Sequence, residues 1–148
     1  MTQINKADLS KPVTEGSANS IACEALHEKE MCIMLENIGS CKIKSHDLNL
    51  GDVYYARSSI INEDPYTTGM AMFKFLEEKH PEITDDISEY FMLGDKVKWH
   101  DIFNKIWDID NKNPEEFKEW IDSQDVQYTK CDSSADIIHD FTSLVDIL

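Results

Sequence analysis

The apolar positions change their period along the chain. Residues 1–19 show no sustained repeat and carry Pro12 and Gly16, which predicts a flexible N-terminal tail ahead of a single domain over 20–148. A helix beginning near Ser20 would share Ile21, Ala25 and Leu26 on one face and leave Glu24, Glu28 and Glu30 in water. From Met31 to Ile61 the pattern turns strand-like. Met31-Cys32-Ile33-Met34-Leu35 is a short apolar run that suits a strand or an extension of the preceding helix. Cys41-Lys42-Ile43-Lys44 alternates behind Gly39, and Val53 to Ile61 is rich in β-branched and aromatic residues behind Gly51-Asp52. Two or three strands, forming a small antiparallel sheet, are expected here.

Helical spacing takes over after Asp64. Asp64-Pro65 reads as N-cap and first helical position, and Met72, Phe73 and Leu76 follow on one face until His80-Pro81. Thr84 is expected to cap the next helix, with Ile87, Tyr90 and Phe91 inward and Gly94 as its stop. Asp95 would cap a third, striped by Val97, Ile102, Phe103, Ile106 and Trp107. Asn113-Pro114-Glu115-Glu116 has the spacing of a capping box, opening a helix that packs through Phe117, Trp120 and Ile121. Ser133 and Asp136 open a last one, with Ile137, Ile138, Phe141, Leu144, Val145 and Leu148 at helical spacing. The fold class expected is α+β, with a small antiparallel sheet early and four to five helices mainly in the C-terminal half.

Charge adds a partner argument. The chain has 148 residues and a formal net charge of −15. Residues 1–81 carry 12 acids and 8 bases, whereas 82–148 carry 17 acids and 6 bases. Such a field disfavours nucleic acid and anionic membranes and favours a basic protein partner. No apolar run is long enough to span a bilayer, and the polar first twenty residues lack a signal core. Cys23, Cys32, Cys41 and Cys131 are therefore read as reduced thiols in a cytoplasmic protein.

Candidate chemistry is sparse, and no cofactor or metal is expected. Asp108 to Glu119 has the length of a calcium loop, with Asp108, Asp110 and Glu119 at ligand positions. Lys112 stands where a ligand oxygen is needed, Asn113 replaces the turn glycine, and Pro114 starts a helix inside the loop. Helix capping explains the same residues. The cysteines lack the paired spacing of a zinc site, and His27 to Met31 lacks the second histidine of the HExxH motif. His100-Asp101, His139-Asp140 and Cys131-Asp132 are neighbours in sequence, which does not aim them at each other. The expectation is a non-catalytic acidic binding module, in concrete form an immunity protein against a basic nuclease-type toxin. Its partner-binding residues would be Asp85, Asp86, Glu89, Trp99, Asp108, Asp110, Glu115 and Glu116. The alternatives are a phage or secretion-system assembly adaptor, a DNA mimic blocking a nucleic-acid enzyme, and an enzyme using Cys or His.

Overall fold

Helix α5 (Pro65–Lys79) organises the molecule because it is buried on nearly every side. The structure is a computed structural model that describes residues 11–26, 29–94 and 98–124. Around α5 stand α1 (Lys11–Leu26), α2 (Lys29–Ser45), the one-turn helices α3 (Leu50–Tyr54) and α4 (Ser59–Glu63), α6 (Pro81–Leu93), α7 (Lys98–Lys112) and α8 (Pro114–Ser123). The described residues contain no strand, so the fold is all-α and the expected α+β class with its sheet is wrong.

The sheet reading fails for identifiable reasons. Cys41, Lys42 and Ile43 are all buried, so the alternation of Cys41 to Lys44 does not separate a wet face from a dry one. Lys42 is inside because its ammonium lies 2.6 Å from the Asp64 carboxylate, the two side chains being 7% and 5% exposed. Asp64 also caps α5 by accepting from the Thr67 backbone N–H at 3.1 Å and from the Thr67 hydroxyl. Gly39, read as a turn, lies inside α2 where that helix crosses α5. A Cβ there would clash with the Thr67 carbonyl and stand 3.0 Å from the Thr68 nitrogen. Gly51 sits inside α3, whose cap is a reciprocal Asn49/Asp52 box: Asp52 N–H to Asn49 at 2.8 Å and Asn49 N–H to Asp52 at 3.1 Å.

Residues 11–19, read as the end of a tail, form the first half of α1, and Val13 is fully buried at 0% exposure. Gly16 permits this. It meets Gly69 of α5 backbone to backbone, and a Cβ on Gly69 would approach the Gly16 Cα to 2.8 Å while colliding with the Pro12 carbonyl. The inward face of α1 is Val13, Gly16, Ser17, Asn19, Ala22 and Cys23, not the Ile21/Ala25/Leu26 face expected. Small side chains let the helices approach closely, and small or polar residues register poorly as a hydrophobic stripe.

The later helices keep more of their expected form. Asp64 and Pro65 start α5, and Gly94 ends α6 in the left-handed conformation at φ 65°. α6 starts at Pro81 with His80 as its N-cap residue, one turn before the expected Thr84 cap; the Thr84 hydroxyl donates to the Pro81 carbonyl at 2.8 Å. Asn113 and Pro114 open α8, but Asn113 makes no side-chain cap bond and the Glu116 carboxylate pairs with His80. Phe75 meets Phe117 and Trp120 edge-on at 5.0 and 5.6 Å, locking α8 onto α5. The helix expected over 133–148 and the Asp95 cap lie outside the described residues.

Candidate functional site

A cleft of about 510 Å³ opens where α1, α2 and α5 diverge, within the size range of ligand pockets. α1 contributes Ser20, Cys23 and Glu24; α2 contributes Lys29, Cys32, Ile33 and Glu36; α5 contributes Phe73, Lys74 and Glu77. Helical spacing explains the α5 wall. Phe73 and Glu77 are four apart and so share a face, with Lys74 beside them. The floor is apolar, made by Phe73, the half-exposed Ile33 and a disulfide joining Cys23 to Cys32.

The disulfide overturns the reading of reduced thiols. Cys23 and Cys32, nine residues apart, have Cα atoms 5.9 Å apart because α1 and α2 form a helical hairpin at that end. Cys41 is disulfide-bonded as well. Cys131 lies outside the described residues.

Three carboxylates and two ammonium groups line the cleft, leaving one surplus negative charge. Lys74 pairs with Glu36 at 3.3 Å. Burial nevertheless holds the Glu36 carboxyl above its ordinary range, with Glu78 adding to the rise and Lys74 opposing it. Glu77, at the exposed rim, is also raised, first by partial desolvation of its carboxyl and then by the charges of Glu24, Glu36 and Glu78. Their pKa values rise because the ionised form is crowded and poorly hydrated.

This crowding has a testable consequence. A carboxyl whose folded pKa exceeds its ordinary value near 4.5 favours the folded state below that pH and loses the contribution as pH rises through the folded pKa. Glu77→Gln is therefore expected to be more stable than the parent at neutral pH and no more stable below pH 4.5. Urea midpoints of the two proteins at both pH values check this; a neutral-pH loss would contradict it.

The carboxylates expected to bind a partner are not gathered in one place. Asp86 is mostly buried and joins α6 to α7 through Lys105 at 2.8 Å and Lys98 at 3.5 Å; Glu89 adds Lys98 at 3.3 Å. Asp110 accepts from the Gly51 N–H at 3.0 Å and pairs with Arg57 at 3.4 Å. Glu116 faces His80. Asp85, Asp108 and Glu115 are exposed, with Asp108 3.6 Å from Lys112. Trp99 is half-buried, stacked on His100 at 3.9 Å and edge-on to Phe103 at 6.2 Å. Trp107, expected in the core, is 51% exposed.

Residues 108–112 are helical, so the calcium-loop reading has no loop to stand on. Among the described residues no group of three His, Cys, Asp or Glu is placed to hold a metal ion. The cleft acids escaped the sequence reading because Glu24, Glu36 and Glu77 lie on three helices with no local motif. The nine-residue Cys23–Cys32 spacing was their one visible neighbour. No protein-family model matches the chain, and no curated protein or solved structure matches it.

Proposed function

We propose that this is a non-catalytic binding protein for a basic protein partner, and that a lysine or arginine side chain of that partner seats its cationic head in the α1/α2/α5 cleft. One observation carries the reading: Glu36 and Glu77 are kept as carboxylates at a cleft where their ionisation is disfavoured. Residues held at a local cost to stability are candidates for function. One cation would balance the surplus charge, and an aliphatic stem would lie on Phe73, Ile33 and the disulfide. The exposed Asp85, Asp108 and Glu115 add to a field that steers such a partner and repels nucleic acid. A toxin-neutralising protein is the concrete form of this proposal.

Compartment belongs to the proposal too. No helix among the described residues is long and apolar enough to cross a membrane. The cytoplasmic expectation went with reduced thiols, whereas Cys23, Cys32 and Cys41 are disulfide-bonded. We therefore place the working protein where disulfides persist.

The test is a titration of the oxidised full chain with a blocked pentapeptide carrying one central lysine, beside its norleucine counterpart. The lysine peptide should bind, more weakly at high salt. Glu77→Gln should weaken it roughly tenfold by removing the surplus charge. Equal binding of the norleucine peptide, or an unchanged affinity in Glu77→Gln, would remove the basis for the reading.

A further inference from the structure

We infer that the Cys23–Cys32 disulfide is a redox clasp on the cleft: closed, it holds the α1 and α2 walls in register for a cationic ligand; reduced, it lets them part and release it. The inference rests on the binding reading above for its ligand, but its structural half stands on helix geometry.

Both helices are pinned to α5 away from the cleft. α1 is held where Gly16 meets Gly69, and α2 where Gly39 meets Thr67. Cys23 lies seven residues beyond Gly16 and Cys32 seven residues before Gly39. At 1.5 Å per residue, each half of the disulfide is about 10 Å along its helix from the crossing that anchors it. The clasp thus joins the ends of two levers of similar length. It lies in a satellite cluster with Leu35, Met70 and the partly buried Met31, separate from the main core around Phe75 and Phe117. Opening it therefore disturbs the walls and leaves the main core intact.

The chemistry needs a dithiol reductant. One of its thiolates attacks a sulfur of the pair, breaking the S–S bond and forming a mixed disulfide. Its second thiolate then displaces the remaining protein sulfur. Two electrons and two protons pass to the protein, yielding the Cys23 and Cys32 thiols, and the reductant leaves as a disulfide. Cys23 and Cys32 are buried at the cleft floor, so the reductant reaches them through the space the ligand fills. Binding and reduction must oppose each other: a ligand that prefers the clasped form also protects the clasp.

The test compares the oxidised full chain with Cys23→Ser/Cys32→Ser, which keeps the bonded Cys41. Amide hydrogen exchange is followed over residues 20–26, 29–36 and 65–79, and the lysine peptide is titrated into both proteins. Exchange at 20–26 and 29–36 should rise roughly tenfold with 65–79 unchanged, and peptide affinity should fall by a similar factor. Unchanged exchange at the two helix ends would overturn the clasp, as would a rise extending equally through 65–79, which marks the bond as a general staple. Should the peptide fail to bind the oxidised parent, the binding reading falls, while the exchange result still decides whether the clasp exists. On the parent, dithiothreitol followed by alkylation and mass spectrometry should open Cys23–Cys32 more slowly with the peptide present; equal rates would contradict the linkage.

Discussion

Asp64→Ala is expected to destabilise the protein by about 3–5 kcal/mol, the cost of leaving a buried partner charge uncompensated. Asp64 does three things at once. It neutralises Lys42 inside the molecule, caps the first turn of α5 through the Thr67 N–H, and accepts from the Thr67 hydroxyl. Its own backbone carbonyl takes the Thr68 hydroxyl at 2.6 Å, so the segment is tied to the start of α5 at several points. The pair joins α2 to the central helix, and losing it removes a link on which the cleft walls depend. Replacing both partners by apolar residues, Lys42→Met with Asp64→Leu, should recover most of the charge penalty but not the cap, worth about 1 kcal/mol. Urea unfolding of the three proteins measures this. A single-variant loss under about 1 kcal/mol would show that Lys42 finds water when Asp64 is gone.

Gly69→Ala separates two physical effects by sign. In an ordinary helix interior the change gains about 1 kcal/mol, because alanine is the better helix former. Here the new methyl would meet the Pro12 carbonyl and the Gly16 Cα, both backbone atoms of α1 that cannot turn aside. A loss of about 3 kcal/mol is expected instead, from forced separation of α1 and α5. Thermal or urea unfolding decides it, and a gain in stability would contradict the backbone-to-backbone crossing.

These two sites also explain which parts of the fold were legible. Asp64-Pro65 and Gly94 were readable because a cap or a left-handed stop is a local property, set by residues within one turn. Gly39, Gly51 and Gly16 were misread because glycine serves both turns and close helix crossings, and the letter alone does not separate them. Val53 to Ile61 has strand propensity, yet α3 and α4 form because the Asn49/Asp52 box and burial of Val53, Tyr54 and Ile61 outweigh it. Lys42 misled most, since a buried lysine looks like a wet position until its partner, 22 residues on, is known. The candidate site was the least legible. Its carboxylates come from the less acidic part of the chain, while Asp86, Asp110 and Glu116 of the acidic part are engaged with Lys98 and Lys105, Arg57 and Gly51, and His80. Net charge therefore pointed to a class of partner but not to the place that would receive it.

The claim that the cleft receives a cation is tested most directly at the Glu36 and Glu77 carboxyls themselves, by carbon-13 NMR of their side chains across pH with and without the lysine peptide. In the unliganded protein both midpoints should lie above the ordinary 4.5, and both should fall when the peptide binds, because the incoming cation favours the ionised form. Midpoints at the ordinary value, or midpoints that stay fixed when the peptide is added, would contradict the account.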